Sequence, residues 1–355
     1  MKKLLMVLST LVLVVSLVAC GNNGNSGPKG DDADKINVAI VLSTGGLGDK
    51  NFNDMSYDGL KQAESELGIH FDYVEPESAS DFEAAHRQFA ESGKYDLIIG
   101  LASDQVDAIK TVSTEFPEQK FSLIDGSLEQ PNVRAISTKW QEQTFLAGVY
   151  AGLATKSNMP KVNADNVVGV ILGMDNPNLR KGVVGFAAGV RYVNKDATVL
   201  EGVVGDFNDP AKGKEIALSM YNKGADFVQH IAGTSGLGVF NAAKEAGYYA
   251  FGVGGNQNAI EPDVIAATSI RNVNEMVYNE VKSIVDGTWQ EGLIISGLAE
   301  DAVGYSAENS NVEVPAEISE AIEAIKAKIK NGELVIVETA DQLESWLEEN
   351  QYVAQ

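Results

Sequence analysis

The chain has 355 residues, a single cysteine, and 50 acidic against 27 basic side chains, for a net charge of −23. That balance excludes a nucleic-acid partner, whose phosphates need a basic face, and a body lying flat on an anionic lipid surface. With Cys20 as its one thiol the chain has no internal disulfide, so its fold must rest on its core.

In chain order, Lys2 and Lys3 precede an apolar run from Leu4 to Val18. The run suits the h-region of an export signal and is short for a transmembrane span, which needs roughly 20 apolar residues. It ends in Leu17-Val18-Ala19-Cys20, which resembles the lipobox of bacterial lipoproteins. The expectation is a signal peptide over 1–20, a lipid on Cys20, and a place on the extracytoplasmic face of the cell membrane. An ordinary secretory signal with an incidental cysteine is the alternative. Residues 21–35, rich in Gly, Asn, Asp and Ser, read as a flexible tether. Loss of Lys2 and Lys3 with the signal moves the charge from −23 to −25.

The remainder alternates. Ile36 to Leu42 reads as a buried strand, Asn53 to Leu67 as a helix, His70 to Val74 as a strand and Ala79 to Ser92 as a helix. Asp96 to Gly100 reads as a strand, Asp104 to Glu115 as a helix and Lys120 to Asp125 as a strand. After the turn-rich stretch Lys156 to Asn166 the pattern restarts, with strands at Val167 to Leu172, Thr198 to Val204, Phe227 to Ile231 and Tyr249 to Val253. Short Val/Ile runs between amphipathic helices imply parallel sheets covered on both faces, and two series imply two α/β lobes. Pro315 to Lys330 reads as an amphipathic helix, Glu333 to Val337 as a terminal strand, and Asp341 to Asn350 as a polar surface helix.

Ligands of such folds gather at the carboxyl ends of the strands. The first strand is followed by Ser43-Thr-Gly-Gly-Leu-Gly-Asp-Lys-Asn-Phe-Asn53, where glycines admit close backbone approach. Its spacing is neither the dinucleotide fingerprint nor a P-loop. Asp49 or Asn53 could also be only a helix cap.

Gly48-Asp-Lys-Asn-Phe-Asn53 resembles the Asp-Lys-Ser-Phe-Asn signature of the basic membrane protein family. These are lipoproteins that serve as substrate-binding components of ABC transporters, typically for purine nucleosides. Further segments are similar in the same order: Pro117 to Asp125, Glu142 to Gly148, Val168 to Met174 with Pro177, Gly185 and Phe186, Phe207 to Lys214, Gly233 to Val239, and Thr268 to Arg271. The resemblance implies a type I periplasmic-binding-protein fold, two doubly wound parallel-sheet lobes joined by three crossovers. These are expected near Ser137 to Trp140, Ile265 to Ser269 and Gly292 to Ser296. Lobe 1 would then hold 36–138 and 269–293, and lobe 2 would hold 139–268 and 294–355. It also implies a small-molecule ligand enclosed by hinge closure and ABC permease subunits as partners.

A nucleoside needs a ring face for its base and hydrogen-bond partners for its hydroxyls. Phe52 is the candidate stacking ring, against a core role. Asp49, Asn53 and Asp125 are candidate polar contacts, with Asp125 otherwise a turn residue before Gly126. Gly233 and Met174 enter the candidate pocket through the resemblance. Three positions depart from the family pattern. Gly182 stands where relatives carry a Phe, which would leave one face of the ligand open. Gly254 stands where they carry the Asp expected to hold ribose hydroxyls. Arg271 replaces a Lys, and its planar fork is not equivalent. Asn256 or Gln257 could stand in for the carboxylate, and Trp140 could supply a ring or belong to the core. A changed ligand, such as a nucleobase or flavin, is therefore a reading of the same residues.

His70, His86 and His230 have no metal-ligand spacing, and no cofactor motif occurs. Three function classes follow: a transport binding protein, a receptor subunit for a membrane sensor, and a hydrolase. The last has only Asp49 and Asp125 for it, without nucleophile or triad, so the expectation is that the chain is not an enzyme.

Overall fold

Two series of short strands, apolar on both faces, build two separate sheets. The computed structural model describes residues 35–49 and 51–353. The expected signal peptide, Cys20 and all of the tether but its last residue lie outside them.

The first series runs β1 (Asn37–Val41), α1 (Phe52–Leu67), β2 (His70–Val74), α2 (Phe82–Ser92), β3 (Leu97–Leu101), α3 (Val106–Glu115), β4 (Phe121–Ile124) and β5 (Val133–Thr138). The chain then enters the second lobe through α4 (Trp140–Ala154), β6 (Val167–Leu172), α5 (Pro177–Val193), β7 (Thr198–Val203) and α6 (Pro210–Tyr221). It continues with β8 (Ala225–Ile231), α7 (Gly236–Ala246), β9 (Tyr249–Gly254) and β10 (Ile265–Arg271). Helix α8 (Val273–Val285) and β11 (Gly292–Ser296) return to lobe 1, and β12 (Val303–Ser306) to lobe 2. Helices α9 (Ala316–Lys330) and α10 (Leu343–Glu349) close the chain.

The sheet orders are β11-β5-β4-β3-β1-β2 and β12-β10-β9-β8-β6-β7. Every strand pair is parallel except β10 with β12. Strands β3, β6, β8 and β9 are buried along their whole length, and all but β8, which carries Asp226, Gln229 and His230, read as apolar runs. Local chemistry sets helix ends. Gly68, at φ +71°, stops α1 in the left-handed conformation that suits glycine. Asn176 and Asp209 cap α5 and α6, each followed by a proline whose missing N–H is of no consequence in the first turn.

The crossings differ from expectation by a few residues. Strand β10 stays in the lobe 2 sheet through Arg271, and β11 stays in the lobe 1 sheet through Ser296. The switches therefore fall at Lys139, Asn272 and residues 297–302. The strands end where backbone bonding changes partner. Lys139 N–H donates to Ser296 O (2.9 Å) and Asn272 N–H to Ala302 O (3.0 Å). Glu142 accepts from Leu298 N–H (2.8 Å) and pairs with Lys139 (3.1 Å). The three crossings are thus bonded to one another at the hinge.

The expected strand at Glu333 to Val337 does not form. Leu334, Ile336 and Val337 are buried in the lobe 2 core with no neighbouring strand to pair with, and Trp346 Nε1 donates to Val335 O (2.7 Å). For the same reason the last helix is less superficial than its charge suggests, since Trp346 packs edge-on against Phe145 at 5.9 Å.

Candidate functional site

The carboxyl ends of both sheets face a cleft of about 680 Å³, a size suited to a small molecule. Its lobe 1 wall begins with the loop after β1. The Asp49 carboxylate accepts from the backbone N–H groups of Asn51 (2.9 Å), Asn53 (2.9 Å) and Asp54 (3.2 Å), and from Asn53 Nδ2 (3.1 Å). Asn53 Oδ1 in turn accepts from Ser43 N–H (2.9 Å) and Oγ (3.1 Å). Burial pushes the Asp49 carboxyl up, and those N–H groups pull it back. Both residues line the cleft, but their polar atoms are engaged in holding the start of α1, so the capping alternative accounts for them. What they hold in place is Asn51 and Phe52.

Phe52, Trp140, Asp125 and Arg271 form one assembly across the lobes. The Arg271 guanidinium lies between two rings, 5.0 Å from the Phe52 centroid and 4.3 Å from that of Trp140. Asp125, held at φ +67° beyond the end of β4, stands 2.8 Å from Arg271 Nη1 and accepts from Trp140 Nε1 at 3.1 Å. Burial pushes the Asp125 carboxyl up, against the pull of Arg271 and Trp140. The 2.8 Å approach is an ion pair without hydrogen-bond alignment, since Nη1 and Nε of the buried Arg271 both lack a hydrogen-bonded acceptor. An unsatisfied buried donor is costly, and a cationic fork on the cleft wall suits an oxygen acceptor on a solute.

The lobe 2 wall combines glycine backbone with side chains such as Met174, Asp206 and Phe207. Gly205, Gly233 and Gly254 all line the cleft with positive φ (91°, 55° and 87°), each at or beyond a strand end. Phe207 rests on this wall, close enough to Gly173 that a Cβ there would overlap its ring. Met174 and Phe207 are 40% and 38% exposed, an apolar surface open inside the cleft.

Of the residues singled out from sequence, Asp49, Phe52, Asn53, Asp125, Trp140, Met174, Gly233, Gly254 and Arg271 line the cleft. Two do not. Asn256 is turned away, with Nδ2 donating to Glu308 O (3.1 Å) and Oδ1 accepting from Asn258 N–H (3.0 Å). Gln257, the other proposed substitute, is also spent, accepting from Val253 N–H (2.9 Å) and bonded to His230 (3.1 Å). Gly182 belongs to the packing of α4 on α5. There Gly148, Gly185 and Gly189 each meet backbone of the other helix, and Gly182 O accepts from Thr144 Oγ1 at 2.6 Å. A Cβ at 182 would stand 2.7 Å from Ile231 Cδ1 and 3.7 Å from Trp140 Cε3. A larger side chain at 182 would therefore meet Ile231 and Trp140, both of which line the cleft.

Sequence reasoning passed over Asn51, Asp104 and Phe207, which also line the cleft. Asp104 follows Ala102, a non-glycine residue at φ +71°, where strain is a hint of function. Burial and the nearby Asp125 push the Asp104 carboxyl up. Its place at a helix start concealed it. Phe207 lay within a quoted family segment and could have been chosen for its ring.

Two doubly wound lobes, three bonded crossings and an enclosed cleft at the strand ends define the solute-binding proteins. A family model described as "ABC transporter substrate-binding protein PnrA-like" matches residues 36–340, and the chain belongs to this family. It is similar to an uncharacterised lipoprotein of Pyrococcus abyssi, with 32% identity over 86% of this chain and 77% of the relative. It is similar to the ABC transporter nucleoside-binding protein BmpA of Lactococcus lactis, with 28% identity over 95% of this chain and 99% of the relative. A solved solute-binding protein of an ABC transporter system from Aeropyrum pernix matches with a TM-score of 0.77 at 27% identity, over 88% of this chain and 97% of that one. The chain is accordingly a substrate-binding protein of an ABC transporter, with a small-molecule ligand and a permease as its partners.

Proposed function

We propose that the cleft encloses a nucleoside-like heteroaromatic solute, and that a lipid on Cys20 holds the protein at the outer face of the membrane for delivery to the permease. The observation that supports the ligand class is the pairing of ring faces with charged groups on one cleft. Phe52 and Phe207 offer aromatic surface, while Arg271 donors and the Asp104 carboxylate lie on the same cleft. Flat bases gain from the first and their substituents from the second. The name of the Lactococcus relative favours the same class. The hinge adds a mechanism, because a solute touching both lobes stabilises the closed form by its differential affinity.

Calorimetry of the purified protein with purine and pyrimidine nucleosides, free bases and flavin tests the ligand class. Binding of one of these at micromolar or lower Kd is expected, and no binding by any of them would sink it. For the anchor, Cys20→Ala should release the protein from membranes or stall its processing. Retention and processing like the parent would remove the lipid from the proposal.

A further inference from the structure

The start of α1 reaches across the cleft and touches lobe 2. Phe52 lies on Arg271, Met55 Sδ is 3.1 Å from where a Cβ on Gly255 would stand, and a Cβ on Gly254 would overlap Asn51 Oδ1. Asn51 thus occupies the room that any side chain at 254 would need. Its backbone is bonded to Asp49 and Met55, and its side-chain amide has no hydrogen-bond partner among the described residues. Asn51 as a whole is only 8% exposed, and it lines the cleft.

We propose that Asn51 determines specificity by placing a neutral amide, carried by lobe 1, at the end of β9, where lobe 2 itself offers only Gly254. This rests on the nucleoside-like reading above. The apolar wall of Phe207 and Met174 suits the base. The hydroxyl-bearing end then belongs at the polar wall made by Asn51 and Arg271. A carboxylate at that point would be an acceptor only, rewarding a pair of hydroxyl donors with charge-assisted bonds. The amide offers one donor and one acceptor and no charge. Neither neighbouring carboxylate replaces it, because Asp49 is saturated by N–H groups and Asp125 is engaged by Arg271 and Trp140. The solute accepted is therefore a nucleoside whose sugar hydroxyls meet an amide and no carboxylate at the end of β9, ribose and 2′-deoxyribose alike.

The test is calorimetry of guanosine and 2′-deoxyguanosine with the parent, with Asn51→Asp, which changes charge at constant shape, and with Asn51→Ala. The parent should bind the two within about threefold of each other, and Asn51→Asp should shift the ratio toward ribose by roughly tenfold or more. Asn51→Ala should weaken both about equally. A parent that prefers ribose by roughly tenfold, or an Asn51→Asp ratio equal to the parent's, overturns the inference while leaving the nucleoside reading intact. If the parent binds neither compound, the same comparison is made with the ribose and 2′-deoxyribose forms of whichever nucleoside the calorimetric panel shows to bind, and a panel in which no nucleoside binds sinks the inference. Should Asn51→Asp not fold, as judged by circular dichroism, Asn51→Ala decides: unaltered affinity for both ligands overturns the role of Asn51.

Discussion

Lobes 1 and 2 share a strand order, β2-β1-β3-β4-β5 in one and β7-β6-β8-β9-β10 in the other, with a sixth strand added at the same edge. They also share a device beneath the strand ends. In lobe 1, Gln105 Nε2 donates to Val41 O (3.1 Å) and Leu42 O (3.2 Å), which turns its Oε1 toward His86 Nε2 at 2.7 Å. In lobe 2, Gln257 Oε1 accepts from Val253 N–H and faces His230 Nε2 at 3.1 Å. Above this common floor the walls diverge. Lobe 1 meets the cleft with side chains on loops and on the first turn of α1: Asn51, Phe52, Asp104 and Asp125. Lobe 2 meets it with the glycines 205, 233 and 254 at its strand ends, with Met174 and Phe207, and with Arg271, its one cation there among the described residues. The repeated topology fixes where strand ends point, and the unrepeated loops decide what chemistry stands on them.

The largest expected effect comes from removing that cation. Arg271→Met leaves Asp125 buried without its cation, held only by Trp140 Nε1, and breaking a buried pair on one side costs about 3–5 kcal/mol. It also removes the plate between Phe52 and Trp140. Urea unfolding should show a loss of this order, and ligand binding should disappear. Asp125→Asn/Arg271→Met should recover much of the stability without recovering binding. If the single variant is as stable as the parent, the two walls are not coupled through this pair.

How much of this was legible depended on periodicity. Strands such as Val167–Leu172 announced themselves as bounded apolar runs. Strand β12 (Val303–Ser306) is four residues of Val, Gly, Tyr and Ser, and was not distinguished from loop. Leu334 to Val337 has a strand's composition and no neighbour to pair with, which no local pattern reveals. At the site, glycine-rich strand ends and Phe52 stood out because residue type alone marks them. The fate of Asp49 and Asn53 did not, since a carboxylate that caps and one that binds a solute look the same in sequence. Gly182 was misplaced because it forms part of a helix–helix seam, and Asn51 was missed because its importance lies in Gly254, some 200 residues away.

The shared floor gives the next effect. Burial holds both His86 and His230 down at about 4, against the pull of Gln105 and Gln257, from an ordinary value of 6.5. The unfolded chain takes up protons below about pH 6.5 and the folded one does not until about pH 4. Stability is therefore lost as pH falls through that window, by up to about 3 kcal/mol for each histidine. Carboxyls that burial pushes up, Asp49, Asp125 and Glu280 among them, act with the opposite sign. A difference measurement separates the two. His86→Gln and His230→Gln keep a donor at the same place and should lose less stability than the parent between pH 6.5 and 4, by urea midpoints. Equal losses in parent and variants would mean that the imidazoles are not neutral in the fold.

The smallest effect sharpens the contrast between the ring that lobe 1 brings to the cleft, Phe52, and the one that lobe 2 brings, Phe207. Phe52 is partly exposed and lies at 5.0 Å from the Arg271 guanidinium. A cation–π contact of this kind is worth roughly 0.5–2 kcal/mol, depending on how dry it is. Trp140, closer at 4.3 Å, remains to hold Arg271 when Phe52 is removed. Phe52→Ala should therefore lower the urea midpoint only slightly, in line with about 1 kcal/mol. Its effect on ligand should be larger, because loss of a stacking face removes apolar burial and ring geometry together, roughly tenfold or more in Kd. The ratio of the two losses is the informative quantity. A ring that serves mainly the ligand gives a small stability change with a large affinity change. A ring that serves mainly the fold gives the reverse, and Phe52 would then belong with the lobe 1 core, leaving Phe207 as the ring that meets the solute.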